Sequence, residues 1–277
     1  MKVRMREHVY YTGQYAEVEV FPTIAPKKKS RKAKFRPTSE VQELINQTQA
    51  ERKLRRLVHA NFNGDDYAVH LTFSDAHEPQ TLEEANALIK NYFRRLKRRY
   101  DKAGVEFKYI YAVECSNRFH FHAFLKCGIP RDDIEKCWGK GYANADRLQF
   151  AEYGVADLSK YVQKQHVNYK RWQGSRNLVH PVEREHFITN KEAQAYASEW
   201  NVNRFIEERF PEYYLILDES VSGVNAINGF EYTSLFLCRK DARLSFYSTS
   251  LAEKEDRLKE AEGKLGRSER WIQMQLC

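Results

Sequence analysis

The chain has 277 residues, enough for one large domain or a compact domain with arms, and 42% hydrophobic with 13% aromatic residues is enough to build a core. Five cysteines, an odd number with no CxxC pair, argue against a disulfide frame or a zinc knuckle. The opening MKVRMREHVYY has no apolar leader and no stretch approaches a membrane span, so a cytoplasmic protein with no membrane partner is expected. The net charge of +8 is concentrated: residues 1–60 hold 14 Lys/Arg against 6 Glu, which accounts for all of it and suggests a polyanionic partner, nucleic acid before membrane.

In chain order, residues 8–21 (HVYYTGQYAEVEVF) read as a hairpin around Thr12-Gly13, with Ala16, Val18 and Val20 alternating against Glu17 and Glu19. The Pro-punctuated, basic stretch 22–37 reads as a flexible arm. A helix follows, with Ser39 and Gln42 as a capping box and Val41, Leu44, Ile45, Leu54, Leu57 and Val58 on roughly one face. Then come a strand (67–74), a helix (81–101) with Leu82, Ala85, Ile89, Tyr92, Phe93, Leu96 and Tyr100 at helical spacing, and two strands (106–114 and 119–126). A short helix (131–137), a strand within 141–150 and a helix over 153–165 complete this part. The order β-α-β-β-α-β predicts an α+β fold of ferredoxin-like (RRM-like) type, an antiparallel sheet with its helices on one face. Residues 190–209 read as helical, 213–218 as a strand, and 250–270 as a charged helix with Leu251, Leu258 and Leu265 seven apart. The organisation expected is an N-terminal hairpin, arm and helix (1–60), a central domain (61–185) and a C-terminal accessory region (186–277).

The run FHFHAFL (119–125) puts two imidazoles in an apolar strand. Residues two apart share a face, so His120 and His122 project together from the uncovered side while Phe119, Phe121 and Ala123 enter the core. Two neutral imidazoles at this spacing can chelate a divalent cation. A third, harder ligand depends on the hairpin. A three-residue loop, Ser116-Asn117-Arg118, sets Glu114 opposite His120 on the same face; a two-residue loop sets Cys115 there instead. Two histidines and a carboxylate suit Mg²⁺ or Mn²⁺ in use. On the helix DLSKYVQKQ (157–165), Tyr161 and Lys164 share a face, which makes Tyr161 a candidate nucleophile.

The set YAVHLTFS, then E-x5-HFH, then YVQK resembles the HUH endonucleases, and most closely the rolling-circle replication initiators of bacterial plasmids, phages and mobile elements, over roughly residues 38–182. The resemblance implies that Glu114, His120 and His122 hold the metal, that Tyr161 is the nucleophile with Lys164 after it, and that Leu71, Thr72 and Phe73 form a structural or DNA-contacting strand. Two-tyrosine initiators carry a second tyrosine where this chain has Gln165, so a single-tyrosine enzyme is expected. It would nick single-stranded or hairpin origin DNA in a bacterial host cell through a 5′-phosphotyrosine, and leave a 3′-OH primer.

Phosphate contacts are expected from Lys27, Lys28, Lys29 and Arg31 of the arm, from Arg52, Arg55 and Arg56, and from Arg94 and Arg98. The stretch YKRWQGSRN offers Arg171, Trp172 and Arg176 for stacking and backbone contacts, or else an edge strand tucked against the fold. No GxxxxGK[ST] stretch occurs, so host helicase and polymerase are the expected partners. A relaxase or single-tyrosine transposase would share the chemistry. A non-catalytic DNA-binding initiator would leave the histidines to packing. A histidine-triad nucleotide hydrolase would need a histidine at 124, where Phe124 stands.

Overall fold

Alternation sets the first element pair. Val3–Thr12 (β1) and Tyr15–Ile24 (β2) form a hairpin longer than the 8–21 predicted, in register Thr12↔Tyr15 through Val3↔Ile24. Its turn needs Gly13, which has φ +66° and whose absent Cβ would lie 2.9 Å from the His59 carbonyl oxygen. The structure, a computed structural model, describes residues 3–24, 40–115, 117–155, 172–224 and 229–242. The Ser39 cap and the 250–270 helix lie outside them. Among the described residues no helix is long and apolar enough to cross a membrane.

The hairpin belongs to a five-stranded antiparallel sheet that also takes in Val182–Ile188 (β10), Tyr213–Val224 (β11) and Glu231–Arg239 (β12), in the order β10-β1-β2-β12-β11. Strand pairing thus joins the segments that the sequence reading placed in 1–60 and 186–277. Val9, Ala16, Val18, Val20, Leu235 and Leu237 pack on one side against Tyr196, Val202 and Ile206. These come from Asn190–Ala197 (α4) and Val202–Arg209 (α5). The single helix expected over 190–209 is therefore two, because Ser198 turns extended (ψ 114°) after the α4 capping box of Thr189 and Glu192.

The second sheet carries the predicted motifs: Tyr67–Thr72 (β3), Tyr109–Cys115 (β4), Phe119–Leu125 (β5), Ala143–Arg147 (β6) and Gln173–Gly174 (β9), in the order β6-β3-β5-β4-β9. Its pairs are all antiparallel, so the α+β class and the β-α-β-β-α-β arrangement hold. Leu82–Ala103 (α2) starts where the Thr81 hydroxyl accepts the Glu84 N–H and stops at left-handed Gly104. Its predicted stripe Ala85, Ile89, Tyr92, Phe93, Leu96 and Tyr100 is buried with Val69, Leu71, Tyr111, Val113, Phe121, Ala123 and, from Arg131–Lys136 (α3), Ile134. Phe150–Ala151 (β7) and Gly154–Val155 (β8) pair as a small hairpin where the helix over 153–165 was expected to begin.

The expectation that all helices lie on one face needs correction. Glu40–Asn61 (α1) packs on the opposite face, where Leu54, Leu57, Val58 and Phe62 bury Ile110 and Phe124 and touch Ala68. The reason is in the strands. That face is apolar at one end (Ala68, Ile110, Phe124) and polar at the other (His70, Thr72, Glu114, His120, His122). Hydrocarbon left in water costs about 25 cal/mol per Å², so α1 covers the apolar end and stops short of the polar one.

The other side of α1 meets the first sheet with charge. Arg56 donates from Nε to Glu17 at 2.8 Å and from an Nη to Glu19 at 2.5 Å; Arg55 reaches Glu17 at 2.9 Å and Glu219 at 3.2 Å; Arg52 reaches Glu19 at 3.3 Å. Burial alone would raise the pKa of the fully enclosed Glu17 carboxyl, but Arg55 and Arg56 overcome it and hold the group below the usual carboxylate range.

Candidate metal centre

The hairpin loop decides the site. Cys115 pairs with Phe119 and Glu114 with His120, the register of the three-residue loop 116–118. The turn is clamped from outside. Glu78 accepts two hydrogen bonds from Arg118, at 3.0 and 2.9 Å, and the Phe119 N–H at 3.1 Å. Arg118 also donates to the Phe73 carbonyl at 2.9 Å and pairs with Asp75 at 2.9 Å. A loop fixed in this way holds the register of both strands beneath it.

Phe121 and Ala123 are fully buried under α2, and His120 and His122 stand on the opposite face, as their spacing predicts. Glu114 Oε2 lies 2.8 Å from His120 Nε2 and 3.4 Å from His122 Nε2. The three side chains are 14–21% exposed, sheltered but open to a ligand. His120 Nδ1 lies 3.1 Å from the Arg118 carbonyl. A proton on Nδ1 donating there leaves the Nε2 lone pair facing a carboxylate, an arrangement that calls for a cation between them. Burial first, and then the neighbouring His70 and His120, push the His122 pKa down to about 4, with Glu114 opposing. At neutral pH His122 therefore offers a lone pair rather than a charge. Two imidazole nitrogens and one carboxylate oxygen fit a divalent cation, and the residues present pass that test.

The sequence reading missed His70. It lies on β3 directly across from His122, its ring stacked on that imidazole (4.8 Å, 13°) and edge-on to His120 (5.5 Å, 89°). Ligand nitrogens of His70, His120 and His122 lie within 4.8 Å of one another. The signal was its outward position between Ala68 and Thr72 on the strand that the split βαβ order places beside β5.

The other expected residues fall out unevenly. Tyr161, Lys164, Lys27, Lys28, Lys29, Arg31 and Arg171 lie outside the described residues. Thr72 is at the site, across from His120, its carbonyl held by Trp138 Nε1 at 2.7 Å. Arg52, Arg55 and Arg56 require correction as phosphate contacts. Arg56 is 6% exposed, and all three guanidiniums are taken by carboxylates that alternate along β2 under α1. Arg94 and Arg98 are exposed on α2, across the sheet from the imidazoles. Arg98 lines a cleft of about 470 Å³ with Arg95, Arg99, Lys136 and Lys140. Trp172 packs against the α1 cluster, Gln173–Gly174 forms the edge strand on β4, and Arg176 is exposed.

Among known proteins, no curated protein and no solved structure matches the chain. Residues 66–166, which include β3 through β8 and so every ligand candidate on the second sheet, match the family model of the replication-associated protein ORF2, and that match supports a role in the initiation of replication.

Proposed function

We propose that the protein is a metal-dependent HUH-type endonuclease that nicks and rejoins single-stranded or hairpin origin DNA to start rolling-circle replication. The observation that carries this reading is the convergence of Glu114 Oε2 on His120 Nε2 and His122 Nε2, on the sheet end that α1 leaves uncovered. These three would hold Mg²⁺ or Mn²⁺, which when bound supplies Lewis-acid polarisation of the scissile phosphate.

The remaining chemistry belongs to side chains. Tyr161 Oη loses its proton and attacks phosphorus in line. The P–O3′ bond breaks, the 3′ oxygen takes up a proton, and the strand's 5′ phosphate stays on the phenol. One phosphodiester replaces another, so the reverse attack by a 3′-OH rejoins strands without a nucleotide cofactor. Lys164, one helical turn on, screens the developing charge. Exposed Arg176 and the basic arm would hold the phosphate backbone, and a host helicase and polymerase would extend the new primer.

The test is covalent capture. Full-length protein is incubated with single-stranded DNA and Mn²⁺, and the adduct is mapped by mass spectrometry. The expected adduct is on Tyr161, and Tyr161→Phe abolishes it while leaving DNA binding nearly intact. A wild-type protein that binds DNA but never forms the adduct would instead be a binding initiator without cleavage activity.

A further inference from the structure

We propose that His70 is a fourth protein ligand of the same cation, which makes the site one of three imidazoles and one carboxylate that prefers a transition-metal dication to Mg²⁺. This rests on the metal reading above and deepens it.

Three observations on the page carry it. First, the topology brackets the histidine pair. β5 lies between β3 and β4, so His70 approaches from one neighbouring strand and Glu114 from the other. His70 is level with His122 and Glu114 is level with His120, so each imidazole of the pair has its own cross-strand neighbour. Second, the ligand nitrogens of the three histidines lie within 4.8 Å of one another, close enough for one ion to gather after small rotations about χ1 and χ2. Third, the position is built for a polar group. Val69 and Leu71 on either side are 1% and 0% exposed in the core under α2, whereas His70 is on the polar end of the other face, half-buried beside Thr72.

The donor set has a chemical consequence. Mg²⁺ favours oxygen ligands and retains its water, whereas affinity for imidazole rises along the first-row series from Mn²⁺ to Co²⁺ and beyond. Each added imidazole therefore widens the gap between Co²⁺ and Mg²⁺. A packing role for His70, a ring stacked on His122, would not do so.

The experiment is calorimetric titration of the full-length protein with Mg²⁺, Mn²⁺ and Co²⁺, alongside His70→Phe, His70→Gln and His120→Ala. His70→Phe keeps a ring against His122 but has no donor. The expected result is tighter binding of Co²⁺ than Mn²⁺ and of Mn²⁺ than Mg²⁺ in wild type. In His70→Phe, Co²⁺ affinity falls at least the ~10–100-fold that loss of even a supporting partner costs a metal site, and Mg²⁺ affinity changes little. If His120→Ala abolishes binding and His70→Phe binds Co²⁺ within about twofold of wild type, this proposal is overturned and the metal reading stands. If wild type binds none of the three ions, both fall. Should the phenylalanine variant not fold, nitrogen-labelled wild-type protein loaded with cadmium decides it. One-bond coupling from cadmium to three imidazoles supports the assignment, and coupling to only two overturns it.

Discussion

Acid should loosen the helix that separates the two sheets, and His59 gives the size of the effect. This residue sits in the last turn of α1, 5% exposed, its ring 4.4 Å from that of Tyr15 and its Nε2 accepting the Val155 N–H at 3.2 Å. Burial first, then the charge of Arg55, pushes its pKa down from 6.5 to about 3, with Glu17 opposing. The unfolded chain takes up this proton below about pH 6.5 and the native chain only near pH 3, so the contribution is whole above pH 6.5 and is lost as pH falls toward 3. Each pH unit in that window costs about 1.4 kcal/mol. Between pH 7 and pH 4.5 the loss is therefore about 3 kcal/mol, a large share of the ~5–15 kcal/mol that holds a typical domain together. His59→Gln keeps an acceptor for Val155 but does not titrate. Urea unfolding at the two pH values should show wild type losing about 3 kcal/mol more than the variant, while His122, present in both, cancels. Equal losses would mean that the ring is protonated in place, and the burial account of α1 would fail.

Three further outcomes are expected. Glu17→Ala strands two guanidiniums under α1 and should cost about 3–5 kcal/mol in equilibrium unfolding, with much of it recovered when Arg56 is also replaced by Met. Gly141→Ala places a Cβ 2.4 Å from the Thr72 carbonyl oxygen and 2.5 Å from the Ser74 nitrogen, at φ +154°. Strain of that kind costs about 1–3 kcal/mol, and a lowered melting temperature checks it. Glu78→Gln removes the clamp on the β4–β5 loop without touching a ligand, and should weaken Mn²⁺ binding ~10–100-fold by calorimetry with the fold retained by circular dichroism.

What could be read from the chain follows the range of the forces involved. The β4–β5 hairpin is local, so its loop length alone gave the two admissible registers, and the residues of the three-residue case are those that meet. The α2 stripe is likewise a matter of spacing along one helix. His70 needed a step more: its partner is named only once the first strand of the split βαβ unit is placed beside the third. The roles of Glu17 and Glu19 were hidden because alternation shows that two faces differ, not that the polar one is wet. Here Glu17 is 1% exposed, matched by Arg55 and Arg56 from a helix some forty residues on. The docking of α1 could not be read from its own amphipathicity, because it presents hydrocarbon to one sheet and guanidinium to the other.

The placement of the N-terminal hairpin has a consequence for biogenesis. β1 and β2 occupy interior positions of the first sheet, yet both flanking partners, Val182–Ile188 and Glu231–Arg239, are translated far later. At ~5–20 residues per second on the ribosome, the roughly 200 residues between β2 and β12 take ~10–40 s to emerge. Throughout that delay the nascent hairpin exposes two open hydrogen-bonding edges, with Val9 and Val18 unshielded between them, a state prone to pairing with other polypeptides. Chaperone dependence during expression, relieved by slower translation or lower temperature, is therefore written into the order in which the strands leave the exit tunnel.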